Sequence, residues 1–192
     1  MGKTRTFVAV EIAEEVQRRA SQLIQRLTPH APRARWVEEE NLHVTLLFLG
    51  DLTDHEVADA CSRVEWVARA NEPFGLTIEG AGAFPAPDRP QTLWLGVGEG
   101  RAELERLHDD LDADLGDLVV KPERRGYVPH LTLARLNKAA NVSGHLGAAL
   151  TGLADYNAGD SMIDGLTVFA SELDRSGPTY HALAHCPLGT PG

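Results

Sequence analysis

Two short stretches of this 192-residue chain hold residues that could do chemistry. The first is Asn41-Leu42-His43-Val44-Thr45-Leu46-Leu47-Phe48-Leu49-Gly50. The second is Tyr127-Val128-Pro129-His130-Leu131-Thr132-Leu133-Ala134-Arg135-Leu136. Each reads as a buried β-strand, a short apolar run, the first closed by Gly50 and Asp51. Strand side chains alternate between faces, so His43 shares a face with Thr45, and His130 with Thr132. Leu42, Val44, Leu46 and Phe48 are expected on the opposite face, in a core, and Leu131 and Leu133 likewise. A lone His-x-Thr reads most simply as a core histidine bonded to a threonine. Two in one chain point to a duplicated fold. A two-fold-like relation would then bring two imidazoles and two hydroxyls into one cleft.

Histidine titrates near neutral pH, and two facing one reacting atom can act as base and acid in the same step. One takes a proton from water and the other gives one to the leaving group. Threonine hydroxyls and a nearby arginine can hold the oxygens of a charged centre. In-line displacement at phosphorus fits, because nucleophile and leaving group lie on opposite sides. A cyclic phosphodiester fits further, since ring strain lowers the barrier and no metal is strictly required. Metal binding is the weaker reading: threonine stands where zinc prefers Asp, Glu, Cys or a third His. The chain has no Gly-x-Ser-x-Gly elbow and no glycine-rich phosphate loop. Among the other histidines, His30 lies in a proline-flanked loop. His55, His108 and His145 are expected on solvated helix faces. His181 and His185 share a face of the last predicted strand, a conceivable metal pair without an acidic or thiol ligand to join it.

The elements that must position the two motifs follow from periodicity. Thr4 to Ile12 is a strand, with Phe7 and Ala9 on one face and Val8 and Val10 on the other. Ala13 to Leu27 is an amphipathic helix, ended by Pro29 and Pro32. Arg33 to Val37 is a short extended segment before the first motif. Asp54 is expected to cap a helix from His55 to about Ala70. Phe74 to Glu79 and Thr92 to Val97 read as strands around a Gly/Pro-rich loop at 80–90. A third helix covers about Ala102 to Leu115. The cationic run Lys121-Pro122-Glu123-Arg124-Arg125 precedes the second motif. Asn141 to Leu153 is a weaker helix. Ser161 to Glu172 and Thr179 to His185 read as strands joined by a turn at Asp174 to Pro178, and 187–192 as a frayed tail. The expected fold is therefore α+β, one domain over residues 1–192 in two similar lobes around a cleft.

The length suffices for one domain with a proper core. No apolar run approaches membrane-spanning length, and no signal peptide is evident, so no membrane partner is expected. Cys61 and Cys186 lack metal-ligand spacing and read as free thiols of a reducing cytoplasm. A formal net charge of −10 argues against broad electrostatic binding to long nucleic acid. It leaves room for a nucleotide or an RNA end held by a few local cations.

The motifs His43-Val44-Thr45-Leu46 and His130-Leu131-Thr132-Leu133 resemble those of the two-histidine phosphoesterases. Within that superfamily the chain is similar to the bacterial and archaeal RNA 2′,3′-cyclic phosphodiesterases, also called 2′-5′ RNA ligases. The likeness includes Arg5 to Val10, Arg35-Trp36-Val37, Glu40 to His43, Phe84-Pro85, Leu93 to Val97, Pro129 to Arg135, Ser171 to Leu173 and Gly177 to Tyr180. It implies a bilobal two-histidine phosphoesterase fold, with antiparallel-rich sheets, outer helices and both motifs on inner strands. It implies hydrolysis of a 2′,3′-cyclic phosphate on an RNA end or nucleotide to the 2′-phosphate. No metal or other cofactor is implied. By that resemblance His43 is the acid at the departing 3′-oxygen, and His130 is the base that activates water. Thr45, Thr132 and Arg135 are expected to bind the phosphate. Arg135 has the wrong strand parity and needs a bend or a strand end to reach the cleft. Many relatives have a cation where Val128 stands, so Arg124 or Arg125 is expected to substitute. No protein partner is expected, and the protein is read as a monomer. Ligation of 2′-5′ bonds would be a side activity. Two competing readings share the cleft, a non-catalytic nucleotide-binding module and a 2′-5′ oligonucleotide phosphodiesterase.

Overall fold

A computed structural model describes residues 2–120, 126–136, 145–173 and 177–189. In chain order the elements are β1 (Thr4–Glu11), α1 (Glu14–Leu27), β2 (Arg35–Trp36), β3 (His43–Leu52), α2 (Asp54–Arg69), β4 (Phe74–Phe84) and β5 (Thr92–Val97). They continue with α3 (Arg101–Leu115), β6 (Leu131–Arg135), α4 (Leu146–Thr151), β7 (Asn157–Ile163), β8 (Gly165–Leu173) and β9 (Pro178–Pro187). The α+β expectation holds. The strands form one antiparallel sheet in the order β7-β4-β5-β6-β3-β1-β8-β9, with β2 added beside β6. The two four-stranded halves, β7-β4-β5-β6 and β3-β1-β8-β9, meet where β6 lies beside β3. Each half carries one His-x-Thr motif at that seam.

Two of the helices, α1 and α3, cross over, while α2 and α4 pack on strands of their own half. Helix α1 follows β1, yet it packs on β7 of the other half. Its apolar stripe of Val16, Ala20, Leu23, Ile24 and Leu27 is buried as the spacing predicts. The Ala13 N–H donates to Ser161 Oγ at 2.9 Å, and the Tyr156 hydroxyl to the Arg19 carbonyl at 2.9 Å. Helix α3 follows β5 and packs in turn on β3 and α2, burying Leu104, Leu107, Leu111 and Leu115. No helix among the described residues is long and apolar enough to cross a membrane.

Several boundaries differ from expectation, each for a local reason. The cap of α2 is Thr53, not Asp54. Its hydroxyl accepts from the Glu56 N–H while Glu56 returns a bond to the Thr53 N–H, a capping box. Strand β4 runs past Glu79 to Phe84, because the extra residue Gly80, at φ +69°, is taken up as a bulge. The expected strand from Ser161 to Glu172 is two strands, β7 and β8, with Asp164 between them. The chain is not frayed from residue 187. Pro187 ends β9, Leu188 is buried, and the Gly189 N–H donates to the carbonyls of Ala68 and Asn71. The cationic run Lys121 to Arg125, the start of the predicted helix from Asn141 and most of the turn from Asp174 lie outside the described residues.

Candidate active site

The seam between the halves builds the site. Val44 of β3 pairs with Leu131 of β6, both with side chains in the core. On the opposite face that register sets His43 beside Thr132 and Thr45 beside His130. The four predicted side chains thus share one face at the seam. The two imidazoles are anchored alike. His43 Nδ1 lies 2.7 Å from the Asn41 carbonyl, and His130 Nδ1 lies 2.7 Å from the Val128 carbonyl. A carbonyl only accepts, so Nδ1 carries the proton in both rings. Nε2 is then the acceptor nitrogen of each neutral ring. His43 Nε2 is 3.0 Å from Thr45 Oγ1, and in the neutral ring the hydroxyl donates to it.

The wall around His43 is aromatic. Phe7 stacks on the imidazole at 5.0 Å, Tyr180 meets it edge-on at 5.3 Å, and Phe169 stands at 6.1 Å. This enclosure removes water from the ring and disfavours its charged form. Burial, reinforced by the Arg135 and His130 charges, lowers the His43 pKa to about 4 despite the Asn41 carbonyl and Glu11, which oppose the shift. Free His43 is therefore neutral at pH 7. Glu11 sits opposite His43 on β1, and its carboxylate accepts from the Thr167 hydroxyl at 2.9 Å. His130 has a different wall: Phe84 meets it edge-on at 5.1 Å and Trp94 stands at 6.4 Å.

Three single-residue bulges decide which side chains reach this face. The register of β3 against β1 skips Leu46, so Phe48 falls opposite Phe7 on the cleft face. Phe48 is 46% exposed, against the expectation that it lies in the core. The register of β5 against β6 skips Leu133, which turns Arg135 onto the face of Thr132. The bend that Arg135 needs is therefore present. Arg135 is exposed there, opposite Arg35 of β2. The register of β8 against β9 skips Leu183, so His181 and His185 fall on opposite faces rather than one. His181 turns to Glu172 at 3.7 Å, and His185 to Thr167 and Glu11. Among the described residues no group of three His, Cys, Asp or Glu stands close enough to hold a metal ion.

Residues that sequence reasoning passed over complete the frame. The Tyr127 hydroxyl donates to the Thr45 carbonyl at 2.9 Å, and its ring stacks on His108 at 4.2 Å. His108 Nδ1 in turn donates to the Leu46 carbonyl at 2.8 Å. His108 is thus no solvated helix residue: it pins the β3 bulge beside Thr45. Phe7 and Tyr180 lie in segments that carry the resemblance and Glu11 does not, but nothing local ties any of the three to His43.

Comparison with known proteins agrees with this geometry. The profile of the 2′-5′ RNA ligase superfamily matches residues 10–174. A protein of Aeropyrum pernix named RNA 2′,3′-cyclic phosphodiesterase is 35% identical over 156 residues, 81% of this chain and 87% of that one. Its namesake from Thermotoga maritima is 30% identical over 182 residues, covering 95% and 94%. A crystal structure from Thermus thermophilus superposes with a TM-score of 0.78 at 28% identity, over 96% of this chain and 97% of that one. With its paired His-x-Thr strands at the seam of one sheet, the chain belongs to the 2′-5′ RNA ligase superfamily.

Proposed function

We propose that this protein is an RNA 2′,3′-cyclic phosphodiesterase that opens a terminal cyclic phosphate to the 2′-phosphate. The observation that carries the reading is the matched anchoring of two imidazoles. Both rings spend Nδ1 on a carbonyl two residues upstream, which makes Nε2 the acceptor nitrogen of each neutral ring. His130 takes a proton from water as its oxygen bonds to phosphorus. The P–O3′ bond breaks on the far side, and His43 protonates the departing oxygen. Thr45, Thr132 and Arg135 hold the non-bridging oxygens. The substrate is an RNA end or nucleotide. We read the enzyme as a monomer of the reducing cytoplasm, which its free thiols Cys61 and Cys186 support, and the reaction as independent of metal, since threonine stands where a metal site would need a ligand.

An acid with a pKa of about 4 is short of protons at pH 7. The arriving phosphate supplies the remedy: its negative charge offsets Arg135 and favours the imidazolium. Titration of His43 by NMR should therefore show its pKa rising when inorganic phosphate binds. The same depressed pKa supports a second reading, in which His43 is the base and His130 the acid. The two separate in the pH profile, where each single alanine variant removes either the acidic or the basic limb. Turnover of cytidine 2′,3′-cyclic phosphate in EDTA tests the function itself. Tight binding without turnover would identify a binding module instead.

A further inference from the structure

Glu11 ends β1 directly opposite His43, and directly opposed residues of an antiparallel pair carry their Cβ atoms about 4.5–5.5 Å apart on one face. The two side chains line one cavity of about 60 Å³, room for about two waters, together with Glu40, Phe169 and Tyr180. The Glu11 carboxylate is tethered from the next two strands. Thr167 of β8 is buried, and its hydroxyl gives its one proton to Glu11 Oε2 at 2.9 Å. Thr167 Oγ1 is then the acceptor for His185 Nδ1 of β9 at 3.2 Å, which puts that ring's proton on Nδ1. His185 Nδ1 itself stands 3.9 Å from Glu11 Oε2. The bulge at Leu183 turns His185 to this face. Gly165 makes room for its ring, since a Cβ there would lie 2.6 Å from His185 Cε1. Three strands thus fix one carboxylate beside the histidine of the first motif.

We infer that Glu11 is a positioning residue of the reaction: held by Thr167 and His185, its carboxylate keeps the proton on His43 until O3′ departs. The inference rests on the proposed function, in which His43 is the acid. An imidazolium in an aromatic wall needs an opposite charge close by, since burial alone favours the neutral ring. Among the described residues, the other charged or titratable groups facing the pair are Arg135 and His130 of β6, Glu40 ahead of β3, and Tyr180 and His185 of β9. Arg135 and His130 oppose a charged His43, whereas Glu11 favours it. The Glu11 side chain is 59% exposed in the free protein, where water screens its charge. A nucleotide seated against His43 displaces that water and strengthens the pairing.

The test is the pH profile of kcat for cytidine 2′,3′-cyclic phosphate with the full chain. Glu11→Gln keeps an acceptor for Thr167 and removes the charge. It should move the alkaline limb, the one that His43→Ala removes, down by about one pH unit. The rate at pH 7 should then fall about tenfold, while KM stays within about twofold. Glu11→Asp keeps the charge and should restore most of the rate. Thr167→Val frees the carboxylate and should move the limb the same way by less. A rate that falls with no limb moving marks a merely structural Glu11 and would overturn the inference. So would a moving acidic limb, which would make His43 the base. Glu40→Gln removes a charge from the same cavity and should leave the limb in place; an equal movement there would overturn the assignment to Glu11. Titration of His43 by NMR in saturating inorganic phosphate is the second readout. Equal pKa values in the wild type and Glu11→Gln would defeat the inference with the phosphodiesterase reading intact. Absence of turnover in the wild type would defeat both.

Discussion

The two halves of the cleft carry the same motif in unlike surroundings. His43 is enclosed by Phe7, Phe169 and Tyr180, with Glu11 opposite on β1. His130 is flanked by Phe84 and Trp94, and its neighbour Pro129 lines a cavity of about 440 Å³. Backbone anchoring is the shared part: both Nδ1 atoms donate over 2.7 Å to a carbonyl two residues before. The motif therefore fixes which nitrogen of each ring carries the proton. The neighbours set how readily the other nitrogen holds a proton and what can approach it. Duplication supplies two equal imidazoles, and divergence of the walls makes them unequal.

The comparison breaks most sharply by deleting either ring. His43→Ala and His130→Ala should each lower turnover of a 2′,3′-cyclic nucleotide by about 10²–10⁴. The double variant should lose much less than the product of the two, because the rings act as a unit. Near-normal rates in either single variant would dissolve the pairing. Next come the hydroxyls. Thr45→Val and Thr132→Val should reduce kcat/KM by about 10–150-fold, the worth of a hydrogen bond to a charged group. If both variants melt early yet keep full specific activity when folded, the hydroxyls are structural.

A third experiment sharpens the contrast between the walls. The His43 pKa is lowered from 6.5 to about 4, so the folded state prefers the neutral ring. Its stabilising contribution is complete above pH 6.5 and is lost as the pH falls from there towards 4. The loss should be at most about 3 kcal/mol. Chemical denaturation across that window should show a smaller acid loss for His43→Gln than for the wild type. The smallest effect is expected at the frame. Tyr127→Phe removes one hydrogen bond to the Thr45 carbonyl and should cost about 0.5–1.5 kcal/mol of unfolding free energy. Its rate should fall slightly and equally at all pH values, unlike the catalytic variants.

Much of the cleft could be read from residue types and alternation. His43, Thr45, His130 and Thr132 fall on one face because each motif is too short to lose its phase. The failures lie downstream of an inserted residue. Alternation predicts Phe48 in the core, Arg135 off the cleft and His181 beside His185. Leu46, Leu133 and Leu183 each reset the phase of their strand. A leucine that forms a bulge looks like any other strand leucine, so no local signal marks the slip. The Thr53 cap was legible, since Thr53-Asp54-His55-Glu56 is a capping-box sequence. The partnership of His108, Tyr127 and the Leu46 carbonyl was not, because residues distant in the chain meet there only after folding.

The crossing of α1 and α3 has a consequence for ancestry. Each helix follows a strand of one half and covers a strand of the other. A half expressed alone would keep α2 or α4 on its own strands, but it would lack the helix lent by the other half and carry one with nothing to sit on. Two copies of such a half would relieve both defects by exchanging helices, and their seam would bring two identical His-x-Thr strands together. A duplicated gene would then have begun as a symmetric exchanged dimer with two interchangeable histidines, and fusion into one chain freed each to acquire its own task.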